Sequence, residues 1–482
     1  MPRNKSTKVF SEITNFFTSS EKGILRIMEL YKALNLYRIK TGVSQVPQSI
    51  YKQGDLLLGL LLFPLFSIDN VYSYQTHSLR KIIEAGKNTF YRLKNNPQID
   101  WRSIVNKSNK ALLKQKEKHF ASSTDAPKCI IIDDSDFEKS SYLTEHVGRI
   151  WSHVKHKSIY GFKGLFLGYW DGKSFFSLDF SLHKEIGKNK KKPYGLTSKQ
   201  KRKQYNKQRK KGTSGYRREQ ELRNDKITTA IRMIKKAVKT GIKLDYILMD
   251  SWFFAESFLV MLLGLKADIH IVGMIKMVKT KYLYKGNYYT AKELGNLLKK
   301  RKKVKWVSAL NLYCAEAEVE FKSHQIKLYF CKTSKRGKWH VLVSTNTKLG
   351  ILKAYEIYSI RWSIEVFFKE AKQYFGLGKS QSQDFDAQIA DISIAIIQYN
   401  VFSLAKRIEA YETLGGLFKE IRGQITEYTI SERIWGFIQE LLRIMSEIFN
   451  GDFNELIINI IKNEKKDNKI INLIEASFLK AA

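Results

Sequence analysis

The sequence predicts an α/β fold: a mixed-sheet core, a β-rich insertion before the last core helix, and helical regions at both ends. Three observations carry this. Two short apolar runs, "CIII" and "LDYILM", each end in aspartate and read as core strands. Alternating runs between residues 276 and 347 read as a second group of strands. Amphipathic Leu and Ile patterns dominate before residue 120 and after residue 377.

A chain of 482 residues allows two to four domains, and 43% hydrophobic with 13% aromatic residues is enough for real cores. Lys and Arg number 84 against 46 Asp and Glu, a net charge of +38. An excess this large points to a polyanionic partner, with nucleic acid first and an anionic membrane surface second. The opening "MPRNKSTKVFSEITNFF" has no apolar signal core. The run Leu56–Phe66 holds 11 residues with a Pro, too short to span a bilayer. Three cysteines, Cys129, Cys314 and Cys331, form no CxxC pair, so no disulfide framework or Cys-rich zinc site is expected. The expected location is cytoplasmic and nucleoid-associated, without a membrane.

Residues 1–120 read as a helical DNA-binding domain. Within it, 78–96 has helix-turn-helix spacing: an amphipathic helix to Glu84, a turn at Gly86, then a second helix Thr89–Lys94 capped by Asn88. Lys87, Arg92 and Lys94 would face phosphates. Residues 121–275 form the first part of the core, in the order β-β-β-α-β-α-β. Asp171-Gly172 marks a hairpin between the second and third strands. Residues 187–218 carry 14 Lys or Arg and no acid, and read as a solvated, mobile arm that orders on DNA. Lys201, Arg202, Lys210 and Lys211 are its candidate DNA contacts. One helix is expected over 218–241, with Gly241 as its stop. Residues 276–347 are the β insertion, 348–376 return to the core as one helix over 349–375, and 377–482 are helical, a candidate dimerisation region.

Three carboxylates stand out: Asp134, Asp250 and Glu365. The two aspartates lie where apolar strands meet their loops, and the glutamate lies on the helix that returns after the insertion. Mg²⁺ is a hard cation that takes carboxylate oxygens. Two such ions about 4 Å apart activate a water or 3′-hydroxyl and stabilise the leaving oxygen of a phosphodiester. Asp133 and Asp136 compete with Asp134, which is favoured because Ser135 follows it. Aspartates at strand ends also cap turns, so position alone does not decide.

The stretch "YSIRWSIEVFFKEAK" adds discrimination. Tyr358, Arg361, Glu365, Lys369 and Lys372 step by 3, 4, 4 and 3 and share one helix face. One acid among three cations and a Tyr suits a phosphate backbone running past a metal.

At these residues the sequence resembles the insertion-sequence DDE transposases of the IS-four type, which carry a Tyr-Arg-Glu-Lys signature. Tyr358, Arg361, Glu365 and Lys372 match it, and Trp362 and Lys369 also fit. "IIDDSDFEK" is similar to the first-Asp motif, with Ser135 where Thr is common, and "ILMDSWF" to the second. The resemblance spans about residues 129–376. It implies an RNase H-like core with Asp134, Asp250 and Glu365 as a Mg²⁺-binding catalytic triad, Mn²⁺ substituting. Cleavage at transposon terminal inverted repeats would be followed by attack of the freed 3′-hydroxyls on target DNA, in a homodimeric synaptic complex. Tyr358, Arg361, Lys372 and, more loosely, Lys369 would contact phosphates. Trp306 and Trp339 are implied candidates for a flipped-base pocket, against the simpler reading that they pack the insertion's core. A host nuclease on the same core and a non-catalytic DNA-binding descendant are the competing readings.

Overall fold

The computed structural model describes residues 22–36, 51–77, 79–120, 126–265 and 268–448. Expectations for 1–21, 37–50 and 449–482 lie outside these residues. In chain order the elements are α1 Lys22–Ala33, α2 Gln53–Leu62, α3 Leu79–Ile82, α4 Lys87–Lys94, α5 Trp101–His119, β1 Cys129–Glu138, β2 Gly148–Ser152, β3 Lys157–Trp170 and β4 Phe175–His183. Then follow α6 Ser198–Lys203, α7 Ser214–Glu221, α8 Lys226–Lys239, β5 Tyr246–Met249, α9 Glu256–Leu263 and β6 His270–Met274. The chain continues through β7 Lys281–Tyr284, β8 Asn287–Thr290, α10 Ala291–Lys300, β9 Lys305–Val307, β10 Leu312–Phe321, β11 His324–Lys332 and β12 His340–Ser344. It ends with α11 Ile351–Ser359, α12 Trp362–Tyr374, α13 Phe385–Ile408 and α14 Leu414–Ile448.

The chain divides into two compact units. One holds residues 94–403; the other holds the described residues before 94 together with 404–448.

In the larger unit, twelve strands form one mixed sheet. β3 pairs antiparallel with β1 and β4, and β5 and β6 run parallel to β1. This is the mixed-sheet α/β core expected of the sequence, with helices flanking the sheet. The Asp171-Gly172 turn forms as expected: Gly172 takes φ +100°, and Asp171 Oδ1 accepts from the backbone of Lys173 and Ser174. β12 pairs antiparallel with β6, so the insertion extends the core sheet instead of forming a separate one.

Two tight turns shape the insertion. Lys285-Gly286 and Lys322-Ser323 both take positive φ at two successive residues, the geometry that matches strand twist. The insertion also contains a helix that alternation does not predict. α10 begins at a capping box, Thr290 with Glu293, and buries Ala291, Leu294 and Leu298 against β-strand residues Ile326, Leu328 and Phe330. Trp339 packs against this same cluster, with its ring edge on Phe330.

Residues 187–218 differ from the expected mobile arm. They fold into α6 and α7, each started by a threonine cap, Thr197 and Thr213. Lys207 pairs with Asp384 and Asp386, both at 2.8 Å. Arg209, with its side chain 0% exposed, pairs with Glu145 at 2.7 Å and Asp386 at 3.1 Å. The segment lacks acids of its own, but the fold supplies them from residues far away in sequence. A buried guanidinium is tolerated because carboxylates surround it. The expected single helix over 218–241 is split between α7 and α8, and Asp225 caps the second by accepting from Thr228.

In the smaller unit, α3 is a single turn of 4 residues and α4 starts at Lys87, not Thr89. The first helix of the expected helix-turn-helix is therefore reduced to one turn. Phe63, Tyr74 and Phe90 pack together in the core of this unit, with ring centroids 5.1–5.6 Å apart. Among the described residues α13 is long and apolar enough to cross a membrane, but its apolar window is 94% buried, as a core helix would be.

Candidate active site

β1 does not end at its aspartates. It continues to Glu138 along β3, whereas its pairing with β5 covers only Cys129–Ile132 against Tyr246–Met249. The parallel strands therefore diverge directly after Ile132 and Met249, and the next residues are Asp133 and Asp250. A crevice at the carboxyl ends of parallel strands is where open α/β sheets place their chemistry.

Strand alternation now separates the tandem acids. Asp133 and Asp134 point to opposite faces of the sheet. Asp133 faces α12: Arg361 Nη1 donates to Asp133 Oδ2 at 2.9 Å. The same guanidinium donates through Nη2 to Glu365 Oε1 at 2.6 Å. Asp134 faces α8, where Lys226 Nζ donates to it at 2.5 Å. Asp136, on the Asp134 face, is taken by Lys163 at 2.5 Å. Arg361 thus bridges Asp133 and Glu365, Asp250 follows the parallel strand paired with β1, and the expected Asp134 faces Lys226 instead.

Electrostatics agree with this grouping. Burial pushes the Asp133 carboxyl up to about 7; Arg361 and the Asp134 amide oppose the rise, and Asp250 and Asp134 add to it. Burial also raises the Tyr358 phenol, with Arg361 opposing and Asp250 and Asp133 adding. Burial works to lower Arg361, but Tyr358, Asp133 and Glu365 together hold it above its ordinary value.

The third-motif residues do not lie on one unbroken helix. The chain turns at Ile360 and Arg361, between α11 and α12. Tyr358 still reaches Arg361, whose guanidinium lies 5.7 Å from its ring. Lys372 Nζ donates to Ser135 Oγ at 2.7 Å and sits on the same strand face as Asp133. Burial lowers its ammonium, with Asp136 opposing. Lys369 is exposed.

Of the remaining expected contacts, Lys87, Arg92, Arg202, Lys210 and Lys211 lie at exposed or half-buried positions. Lys94 pairs with Asp391 at 2.7 Å, and Lys201 lies 5.8 Å from the Tyr194 ring. Trp306 is 48% exposed on β9 and meets Tyr313 edge-on, whereas Trp339 is partly buried against the insertion's core.

Sequence reasoning weighed Asp133 only as a rival of Asp134, and it missed Lys226. For Asp133 a signal existed: it and Asp250 are each the first residue after an apolar run, so parallel strands in register set them side by side. Lys226 gave no local signal, because its partner Asp134 is 92 residues away.

The donor set suits a hard divalent cation, since all three groups are carboxylates. Arg361 bridges two of them, which marks the place as one that requires positive charge. Among the described residues no three Asp, Glu, His or Cys side chains converge on one point.

Residues 68–290 match the family model described as DDE superfamily endonuclease. The match includes Asp133, Asp134 and Asp250 and ends before Glu365. No curated protein matches the chain in sequence. Among solved structures, the cryo-EM piggyBac transposase synaptic complex with hairpin DNA is similar at 12% identity and a TM-score of 0.43, covering 89% of this chain and 81% of that one.

Proposed function

We propose that the chain is a DDE-type DNA transposase of cut-and-paste habit. It would bind terminal inverted repeats, hydrolyse the phosphodiester at each end, and join the 3′-hydroxyl ends to target DNA. The observation that carries the reading is the Asp133–Arg361–Glu365 bridge beside Asp250, at the point where two parallel strands diverge.

Asp133, Asp250 and Glu365 are the residues that would hold Mg²⁺, in the place expected of Asp134, Asp250 and Glu365. Bound there, Mg²⁺ or Mn²⁺ would activate a water or 3′-hydroxyl and stabilise the leaving oxygen. Arg361 and Lys372 offer cations to the phosphates on either side, and Tyr358 offers a phenol hydroxyl. Arg361 exchanges carboxylate for phosphate when DNA enters, which frees Asp133 and Glu365 as ligands.

DNA is the partner that the charge of +38 favours. Exposed Arg202, Lys210 and Lys211 would track its backbone. A homodimer is proposed from α14, where Ile434, Phe437, Leu441 and Ile444 are exposed at steps of 3, 4 and 3, the spacing of a helix-pairing seam. A nucleoid-associated cytoplasmic location follows from the same reading.

The test is a linear donor DNA carrying the element's terminal repeats, incubated with protein and Mg²⁺ or Mn²⁺. Nicking at the ends by wild type and none by Glu365→Gln is expected. Absence of nicking by wild type, or equal nicking by both, overturns the proposal.

A further inference from the structure

Two of the three cysteines meet in the insertion. Cys314 on β10 and Cys331 on β11 stand directly opposite each other in the antiparallel register. Both are free thiols, their Sγ atoms are 3.8 Å apart, and each residue is 4% exposed. Partners in an antiparallel pair have Cα atoms about 4.5–5.5 Å apart, inside the range of about 4.4–6.8 Å that a disulfide spans. Side-chain rotation is enough to join them, and the strands keep their register.

The pair belongs to a row that crosses four strands. Lys305 on β9 is opposite Cys314, and His340 on β12 is opposite Cys331. Opposite residues share a face of the sheet. Both end residues are exposed, so the thiols lie one side chain in from solvent. The Cys331 thiol pulls the Cys314 pKa down, against burial and Glu316, which favours a thiolate at Cys314. The next row on the same face is Glu316 opposite Tyr329. That row holds the start of α11. The Ile351 N–H donates to Glu316 Oε1 at 3.0 Å, and the Tyr329 hydroxyl donates to the Leu349 carbonyl at 2.9 Å. The helix anchored there carries Tyr358.

We propose that Cys314 and Cys331 are a reversible disulfide-forming site, and that the bond stiffens the strand pair that anchors α11. The co-reactant is hydrogen peroxide. The Cys314 thiolate attacks one peroxide oxygen, the O–O bond breaks, and the departing hydroxide takes up a proton to leave as water. Cys314 is then a sulfenic acid. The Cys331 sulfur attacks the Cys314 sulfur, the S–O bond breaks, and the hydroxyl leaves as a second water with the Cys331 proton. Two thiols are oxidised to one disulfide, and one peroxide is reduced to two waters. A dithiol reductant reverses the bond by exchange.

The experiment treats the full reduced chain with hydrogen peroxide in the absence of DNA. Two of the three thiols should disappear when counted in denaturant. An unreduced digest should link the peptides of Cys314 and Cys331 within one chain, and dithiothreitol should restore both thiols. Amide exchange at Ile351 and through the first turn of α11 should slow about tenfold in the oxidised form, because opening there is then resisted by a covalent tie. Cys331→Ser should accumulate the Cys314 sulfenic acid, trapped by dimedone, with no link and no slowing. Survival of all three thiols in wild type overturns the proposal, and so does a link formed only between chains. A link within the chain that leaves exchange at α11 unchanged overturns the anchoring role. None of these readouts needs DNA cleavage, so they stand or fall apart from the transposase reading.

Discussion

Arg361 Nη1 donates to Asp133 Oδ2 at 2.9 Å, tying the first turn of the last core helix to the middle of the first core strand across 228 residues. The contact identifies which of two adjacent aspartates shares a face with Arg361 and Glu365. Asp133→Asn is therefore expected to abolish metal-dependent nicking, a loss of about a thousandfold for several kcal/mol of lost charge stabilisation. Asp134→Asn leaves the carboxylate group around Arg361 intact, and its loss should be at least tenfold smaller. Mn²⁺ titration by calorimetry gives a second readout: binding lost in Asp133→Asn, retained in Asp134→Asn. The reverse order would return the ligand role to Asp134.

Arg361 also competes with any cation for the same two carboxylates, Asp133 and Glu365. Arg361→Gln should thus tighten Mn²⁺ binding in the absence of DNA, while lowering DNA affinity and nicking. Arg361→Lys should not restore nicking, because one ammonium lacks the planar fork that reaches both acids. Metal affinity and cleavage measured on the same preparation would move in opposite directions. A parallel fall in both would show that Arg361 only supports the fold.

Much of the core was legible because local chemistry decided it. Asp171-Gly172 sits between alternating apolar residues, and that pair favours a hairpin turn. The Tyr358-to-Lys372 spacing likewise placed Arg361 and Glu365 one helical turn apart. What stayed illegible depended on distant partners. "DDS" does not reveal which acid faces which side until β5 fixes the register with β1. The 14 cations of residues 187–218 look solvated because Glu145, Asp384 and Asp386 lie outside the segment. Helix α10 was readable from Thr290 and Glu293, a capping box hidden among strand signals.

That basic segment yields a contrast between two kinds of cation. The Arg209 side chain is buried among four carboxylates, Glu145, Glu219, Asp384 and Asp386, so Arg209→Leu should cost about 3–5 kcal/mol, as breaking a buried pair does. Limited proteolysis should then cut within 187–218. Replacing Lys210 and Lys211 with Ala, both exposed, should shift stability by no more than about 0.5 kcal/mol. The same double variant should flatten the slope of log affinity against log salt by about 2, one counterion per lost phosphate contact. An unchanged salt slope would mean that these lysines never meet DNA.

His146 supplies the pH dependence. Its ring packs edge-on against Phe385 at 5.4 Å, and Glu145 and Glu219 lie 3.6 and 3.7 Å from Nε2. Burial pulls its pKa down to about 4, with Lys184 helping and Glu145 opposing. A depressed histidine is neutral in the fold and charged when unfolded at mildly acid pH. Its contribution is therefore fully present above about 6.5 and is lost as pH falls toward 4. The loss should reach about 3 kcal/mol over that window, at 1.36 kcal/mol per pKa unit. Glu145, whose pKa is lowered despite burial by its bonds to Arg209 and the Phe385 amide, falls away in the same direction at lower pH. Denaturant midpoints measured at steps from pH 7 to pH 4 should therefore drop steeply in wild type and less in His146→Gln. Parallel curves would show that another group carries the acid sensitivity of this unit.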